Sequence, residues 1–215
     1  MTLEEVIKGS RIYKVSNPLT NNTWIYKISE RFGPYVDNEE ETRGQIISNA
    51  LKTSDYIPEG GKFILDFEEV KFISPSLMFQ CIDKFAEESK KRKRALFGGR
   101  YLIAKDPNED MRILLNIILR AYQSSLLVVH SDSRDDEILR LPRFLKETLD
   151  IIKENGPLTA DALSTYHGPE NRLSIRERLR QLYLRGLVER EPIIGSKERI
   201  TFSYTAFSIS LDTIY

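Results

Sequence analysis

The chain has 215 residues, and its 32 lysines and arginines are matched by 32 aspartates and glutamates, giving a formal net charge of zero. A hydrophobic content of 40 % and an aromatic content of 10 % suit a chain that buries a core, and exclude a disordered, collagen-like or disulfide-stapled one. Cys81 is the sole cysteine, so no internal disulfide forms and a cytoplasmic setting is expected. With His130 and His167 the only histidines, a multi-ligand metal site or a histidine-based triad is poorly supplied. No metal, no cofactor and no enzymatic activity are expected. The first residues, MTLEEVIKGS, lack the apolar segment of a secretory signal. No apolar run approaches the ~20 residues of a membrane span, and the best, Ile113–Leu119, is interrupted by Asn116. No membrane association is expected.

Residues 1–23 read as an N-terminal extension. Thr23–Arg31 places Trp24, Tyr26 and Ile28 at period two, which predicts a half-buried strand. Phe32-Gly33-Pro34 turns the chain, so that Tyr35-Val36 can pair back. Glu40–Leu51 has helical spacing, and Lys62–Phe67 (KFILDF) predicts a buried strand with Asp66 as a structural carboxylate at its end. Ser74 is a good N-cap and Pro75 suits a first helical turn. Leu77, Met78, Cys81, Ile82 and Phe85 then predict a helix running to about Arg94, with Met78, Phe79 and Phe85 in core and rim. The basic run Lys90–Arg94 falls at that helix's end, where the dipole favours cations. Tyr101–Ala104 and Leu126–His130 read as strands. Between them Asp106-Pro107 opens a helix through Tyr122, whose stretch Met111–Leu119 is its buried face. Strands alternating with helices predict an α/β domain, a mixed sheet layered with helices, over residues 24–132.

HSDSRDDE, His130–Glu137, combines turn formers with charge, so a linker is expected over residues 133–142. Beyond it the pattern changes. Phe144, Leu145, Thr148, Leu149 and Ile152 mark one helix, which Gly156-Pro157 ends. Thr159 caps a second over Ala160–Tyr166. Ile175, Leu179 and Leu182 face inward on a third, roughly Asn171–Arg185, with Gly186 beyond it. Leu187–Ile193 and Arg199–Phe207 predict two strands around a Gly195-Ser196-Lys197 turn. A domain over residues 143–207 and a tail over 208–215 follow.

Two resemblances attach to these segments. The run KETLDIIKENGPLTADALSTYHG, then SIRERLRQLYLRGLVERE, resembles a bacterial winged helix-turn-helix domain over about Pro142 to Phe207. The resemblance implies a third helix in the DNA major groove and a hairpin wing on the backbone or minor groove. With Ile175, Leu179 and Leu182 inward, Arg172, Arg176 and Arg180 recur every four residues on one exposed stripe, and the wing offers Lys197 and Arg199. Arginine suits phosphate or guanine, so these five are the candidate DNA-binding residues. Against this, the block from Arg143 onward holds 11 basic and 10 acidic residues, and Glu177 sits inside the helix. A winged domain used for protein docking or dimerisation is the alternative.

Upstream, GGKFILDFEEVKFISPSLMFQCIDKFAEE resembles the core of a STAS domain, the fold of sulfate-transporter tails and anti-sigma-factor antagonists, nearest to its branch of unassigned function in prokaryotes. The resemblance implies that the loop Ser74, Pro75, Ser76, Leu77 and Met78 binds a protein partner, which in antagonists is a kinase-like ATPase that phosphorylates a serine there. Here Pro75 occupies the acceptor position and Leu77 replaces a glycine, so Ser74 acting simply as an N-cap is the plainer reading. The combined expectation is a non-catalytic prokaryotic regulator of transcription, coupling partner-protein recognition to double-stranded DNA binding. The alternative is a DNA-independent adaptor, or a subunit of a larger signalling or phage-defence complex. Either is compatible with a homodimer.

Overall fold

The computed structural model describes residues 12–15, 23–37, 61–80, 82, 101–122, 124–132, 137–167, 172–194 and 200–206. The chain is mixed α/β and divides into two units, Met1–Arg140 with Ser210–Tyr215, and Leu141–Ile209.

The first unit is built on a six-stranded sheet in the order β1-β2-β4-β6-β7-β8. The strands are β1 (Ile12–Val15), β2 (Thr23–Lys27), β4 (Lys62–Asp66), β6 (Tyr101–Lys105), β7 (Leu126–Val129) and β8 (Glu137–Leu139). The four central strands run parallel, and β1 and β8 close the edges antiparallel. Parallel strands covered on both faces need apolar residues at successive positions. Trp24, Phe63 and Leu102 stand in register on one face, as do Tyr26, Leu65, Ala104 and Val128. Ile25, Ile64, Ile103 and Leu127 form a row on the other, and all are buried. Against the first face pack α1 (Ile28–Phe32), α2 (75–80, helical again at Ile82) and α3 (Glu109–Ala121), through Ile28, Leu77, Met78, Met111, Leu115, Ile118 and Leu119. A short parallel pair, β3 (Tyr35–Val36) and β5 (Phe72–Ile73), precedes α2.

Several expectations need correction. The expected strand Thr23–Arg31 ends at Lys27, because Ile28 begins α1. Tyr35-Val36 pairs with β5, not back onto β2. The N-terminal extension contributes β1 to the sheet, and the expected linker contains β8, whose Leu139 is buried opposite Leu126. Helix α3 starts at Glu109 rather than Asp106, since Asn108 caps it by accepting from the Met111 amide at 3.0 Å. Cys81, the helix over Glu40–Leu51, Phe85 and Lys90–Arg94 lie outside the described residues.

The second unit runs α4 (Arg143–Asn155), β9 (Leu158–Thr159), α5 (Ala160–His167), α6 (Arg172–Leu184), β10 (Val188–Ile194) and β11 (Ile200–Ala206). Leu145, Leu149 and Ile152 of α4 meet Leu163 of α5 and Ile175, Leu179 and Leu182 of α6 in its core, with Leu187 and Val188. Gly156 ends α4 at φ 77°, a left-handed conformation that glycine adopts without strain. Strand β9, which periodicity does not announce, adds to β11 in a three-stranded antiparallel sheet ordered β10-β11-β9. Thr159 serves twice, pairing with Ser203 and accepting from the Ala162 amide at 3.1 Å as the cap of α5.

Candidate functional site

Each unit presents one surface with chemistry. In the first, parallel pairing aligns Lys27, Asp66, Lys105 and Val129 at the carboxyl ends of their strands, the edge at which open α/β sheets place ligands. Lys105 Nζ lies 3.1 Å from Asp66, 2.9 Å from Glu68 and 3.3 Å from Asp106. Burial alone lowers the Lys105 pKa, but hydrogen bonds to Glu68 and Asp66 and their charges outweigh it and hold it well above the ordinary lysine range. Burial likewise pushes Asp106 up, and its bonds from the Ser131 hydroxyl and amide, with Lys105 beside it, bring it below the usual carboxylate range. Asp66, Glu68 and Asp106 are ligand types a divalent cation would accept. The Lys105 ammonium already stands among all three. Asp66, expected as a structural carboxylate, has that geometry.

Beside this cluster lies an apolar groove of about 300 Å³ between the segment Lys71–Pro75 and α3. Asn108 holds its two walls together, donating to the carbonyls of Val70 and Lys71 at 3.2 and 3.1 Å while capping α3. The exposed part of the groove comes from Phe72, Ile113 and Ile117, which keep 48 %, 51 % and 63 % of their surface in water. The expected partner loop borders it only in part. Ser74 is buried as the cap of α2, accepting from the Leu77 amide at 3.3 Å. Leu77 and Met78 point into the core, because helical spacing puts positions 74, 77 and 78 on the inner face. Pro75, Ser76 and Phe79 face out. Leu77 and Met78 therefore offer a partner no surface, whereas Phe72, Phe79, Ile113 and Ile117 are exposed. Exposed isoleucines on α3 escaped the sequence reading because they interleave with its buried positions.

In the second unit, α6 turns Arg176 and Arg180 outward while Ile175, Leu179 and Leu182 are fully buried. Arg180 bonds Glu177 at 3.1 Å, an exposed pair of small energetic weight. Arg178 turns away from the stripe, its guanidinium 5.6 Å from the centre of the Phe144 ring on α4. Arg172 begins the helix, and its side chain, like Lys197 and Arg199, lies outside the described residues. The structure adds a cation the sequence reading missed. Arg190 on β10 lies 4.1 Å from the Tyr183 ring of α6 and 4.7 Å from the Phe202 ring of β11. Arg190 faces Tyr204 across the ribbon. Burial raises the Tyr204 phenol, against the pull of the Arg190 charge and hydrogen bond and of the Arg176 charge. Only the strand register reveals this grouping.

No protein-family model, curated protein or solved structure matches this chain. Among the described residues, no helix is long and apolar enough to cross a membrane.

Proposed function

We propose that the protein is a non-catalytic regulator, in which a STAS-like first unit recognises a partner protein and a winged second unit binds double-stranded DNA. One observation carries the reading. Helix α6 follows α4, of the same length, and the shorter α5, leads into a β-ribbon, and presents Arg176 and Arg180 to solvent with Ile175, Leu179 and Leu182 buried. That order, helix, strand, helix, helix and two strands, is the one a winged helix-turn-helix uses, and outward arginines suit phosphate. The partner edge of the first unit is the groove, which Pro75 helps to line, with Ser76 and Phe79 exposed on the same helix. Apolar centres with polar surrounds are what protein interfaces need. A kinase-like ATPase is the class of partner the STAS resemblance implies.

The test is binding of the intact chain to a random-sequence duplex across a salt series. A negative log–log slope is expected, because each phosphate contact releases counterions. Arg176→Ala with Arg180→Ala should weaken binding and flatten the slope by about 2. A wild-type chain that ignores duplex at low salt removes the DNA half. The near-equal charge of this unit then favours the DNA-independent adaptor, whose partner the groove would still hold.

A further inference from the structure

We propose that Arg190 is a pre-oriented phosphate-binding residue of this surface, which with Arg176 and the Tyr204 hydroxyl cradles a backbone phosphate of the nucleic acid. The inference rests on the nucleic-acid reading above and deepens it by naming the residues that hold the backbone. An exposed arginine normally loses much side-chain freedom when it binds an anion. Here that freedom is already restricted, since the Tyr183 and Phe202 rings hold the guanidinium at 4.1 and 4.7 Å. With its faces on aromatic rings, a guanidinium keeps its N–H edge for acceptors; the Tyr204 hydroxyl takes one donor of Arg190, and the remaining donors suit phosphate.

Placement extends the argument. Tyr183 stands seven residues after Arg176, two turns along the same helix face and about 10 Å away. Arg190, resting on Tyr183, therefore continues the Arg176–Arg180 row although it comes from a strand. A row of cations suits a repeating polyanion better than a single carboxylate. Tyr204, the cross-strand partner of Arg190, lies on the same face of the ribbon. Two guanidinium charges around one phenol repel each other, and a shared anion removes that cost. The other face of β10 carries exposed Glu189 and Glu191, so the ribbon has one cationic side and one acidic side.

The experiment uses the intact chain and a fluorescent random-sequence duplex, titrated from about 50 mM salt upward. Arg190→Gln should weaken low-salt binding roughly five- to tenfold and reduce the log–log slope by about 0.9. Arg190→Lys should restore the slope but not the affinity, because an ammonium lacks the stacked fork. Tyr204→Phe should weaken binding with the slope unchanged. Wild-type affinity and slope in Arg190→Gln, alongside a weakened Arg176→Ala/Arg180→Ala chain, overturn the proposal and leave the DNA reading standing. If Arg190→Gln does not fold, wild-type affinity in both Arg190→Lys and Tyr204→Phe overturns it equally. A wild-type chain that binds polyglutamate but not duplex overturns both readings and assigns the cluster to an acidic protein.

Discussion

Lys105 has only 3 % of its side chain exposed and Asp66 only 2 %, so their pairing, with Glu68 and Asp106 beside the ammonium, stands in for water. Truncating one partner of such a pair strands the other's charge. Lys105→Met should therefore cost about 3–5 kcal/mol, read as a lower urea midpoint with an unchanged slope. The double variant Lys105→Met/Asp66→Leu should recover part of that loss, since the buried charges go together while Asp106 and the Glu68 amide each lose a partner. At His167 the sign is set by a depressed pKa, lowered first by burial and then by the Arg178 charge, with Glu147 opposing. Below the ordinary value of 6.5 the unfolded chain takes a proton that the native histidine resists. Stability from this group is present above that pH and lost as pH falls through it. Melting temperature should fall in wild type as pH drops below about 6.5, and His167→Gln should flatten that decline. Asp106 adds a second loss of the same sign at lower pH, because its pKa lies below 3.8.

Helix α3 shows how an element can serve two masters. Met111, Leu115, Ile118 and Leu119 anchor it, while Ile113 and Ile117 stand one turn apart in water. Ile113→Lys/Ile117→Lys should leave the melting temperature within about 1 °C, as exposed substitutions do, yet abolish the partner capture proposed for the groove. A loss of fold instead would place these isoleucines in the core. The helices and central strands were legible in the sequence because burial imposes a period on long apolar segments, and Leu145, Leu149 and Ile152 or Ile175, Leu179 and Leu182 keep it without exception. Trp24, Tyr26 and Ile28 misled for the same reason: their alternation continues into a helix whose first residue is buried. Strands β1, β8 and β9 span four, three and two residues, and carry little signal apart from their partners. The site was legible only where it lies on one element, as Arg176 and Arg180 do on α6. Asp66 and Lys105 are 39 residues apart and meet through parallel register, while Arg190 meets Tyr183 through packing of a strand on a helix.

At the scale of the molecule, the division after Arg140 predicts that residues 141–209 carry their own core and need nothing from the sheet. Expressed alone, that fragment should melt in one cooperative transition by circular dichroism. A gradual, baseline-free melt would show that the core from Leu145 to Val188 is insufficient. Both units find partners far along the chain. In the second, β10 and β11 pair across a short connection, but β9 pairs with β11 from more than 40 residues later. In the first, β2 pairs with β4 from 39 residues later, and β4 with β6 after as many again. On a ribosome such a sheet cannot close early, because pairing of distant strands waits for the chain that supplies them. Its apolar rows, Trp24 and Tyr26 first among them, emerge long before Leu102 and Val128 exist to cover them. A cell making this protein must shield that first half of the sheet during synthesis, and the arginine-bearing unit likewise stays incomplete until β11 emerges to pair with β9.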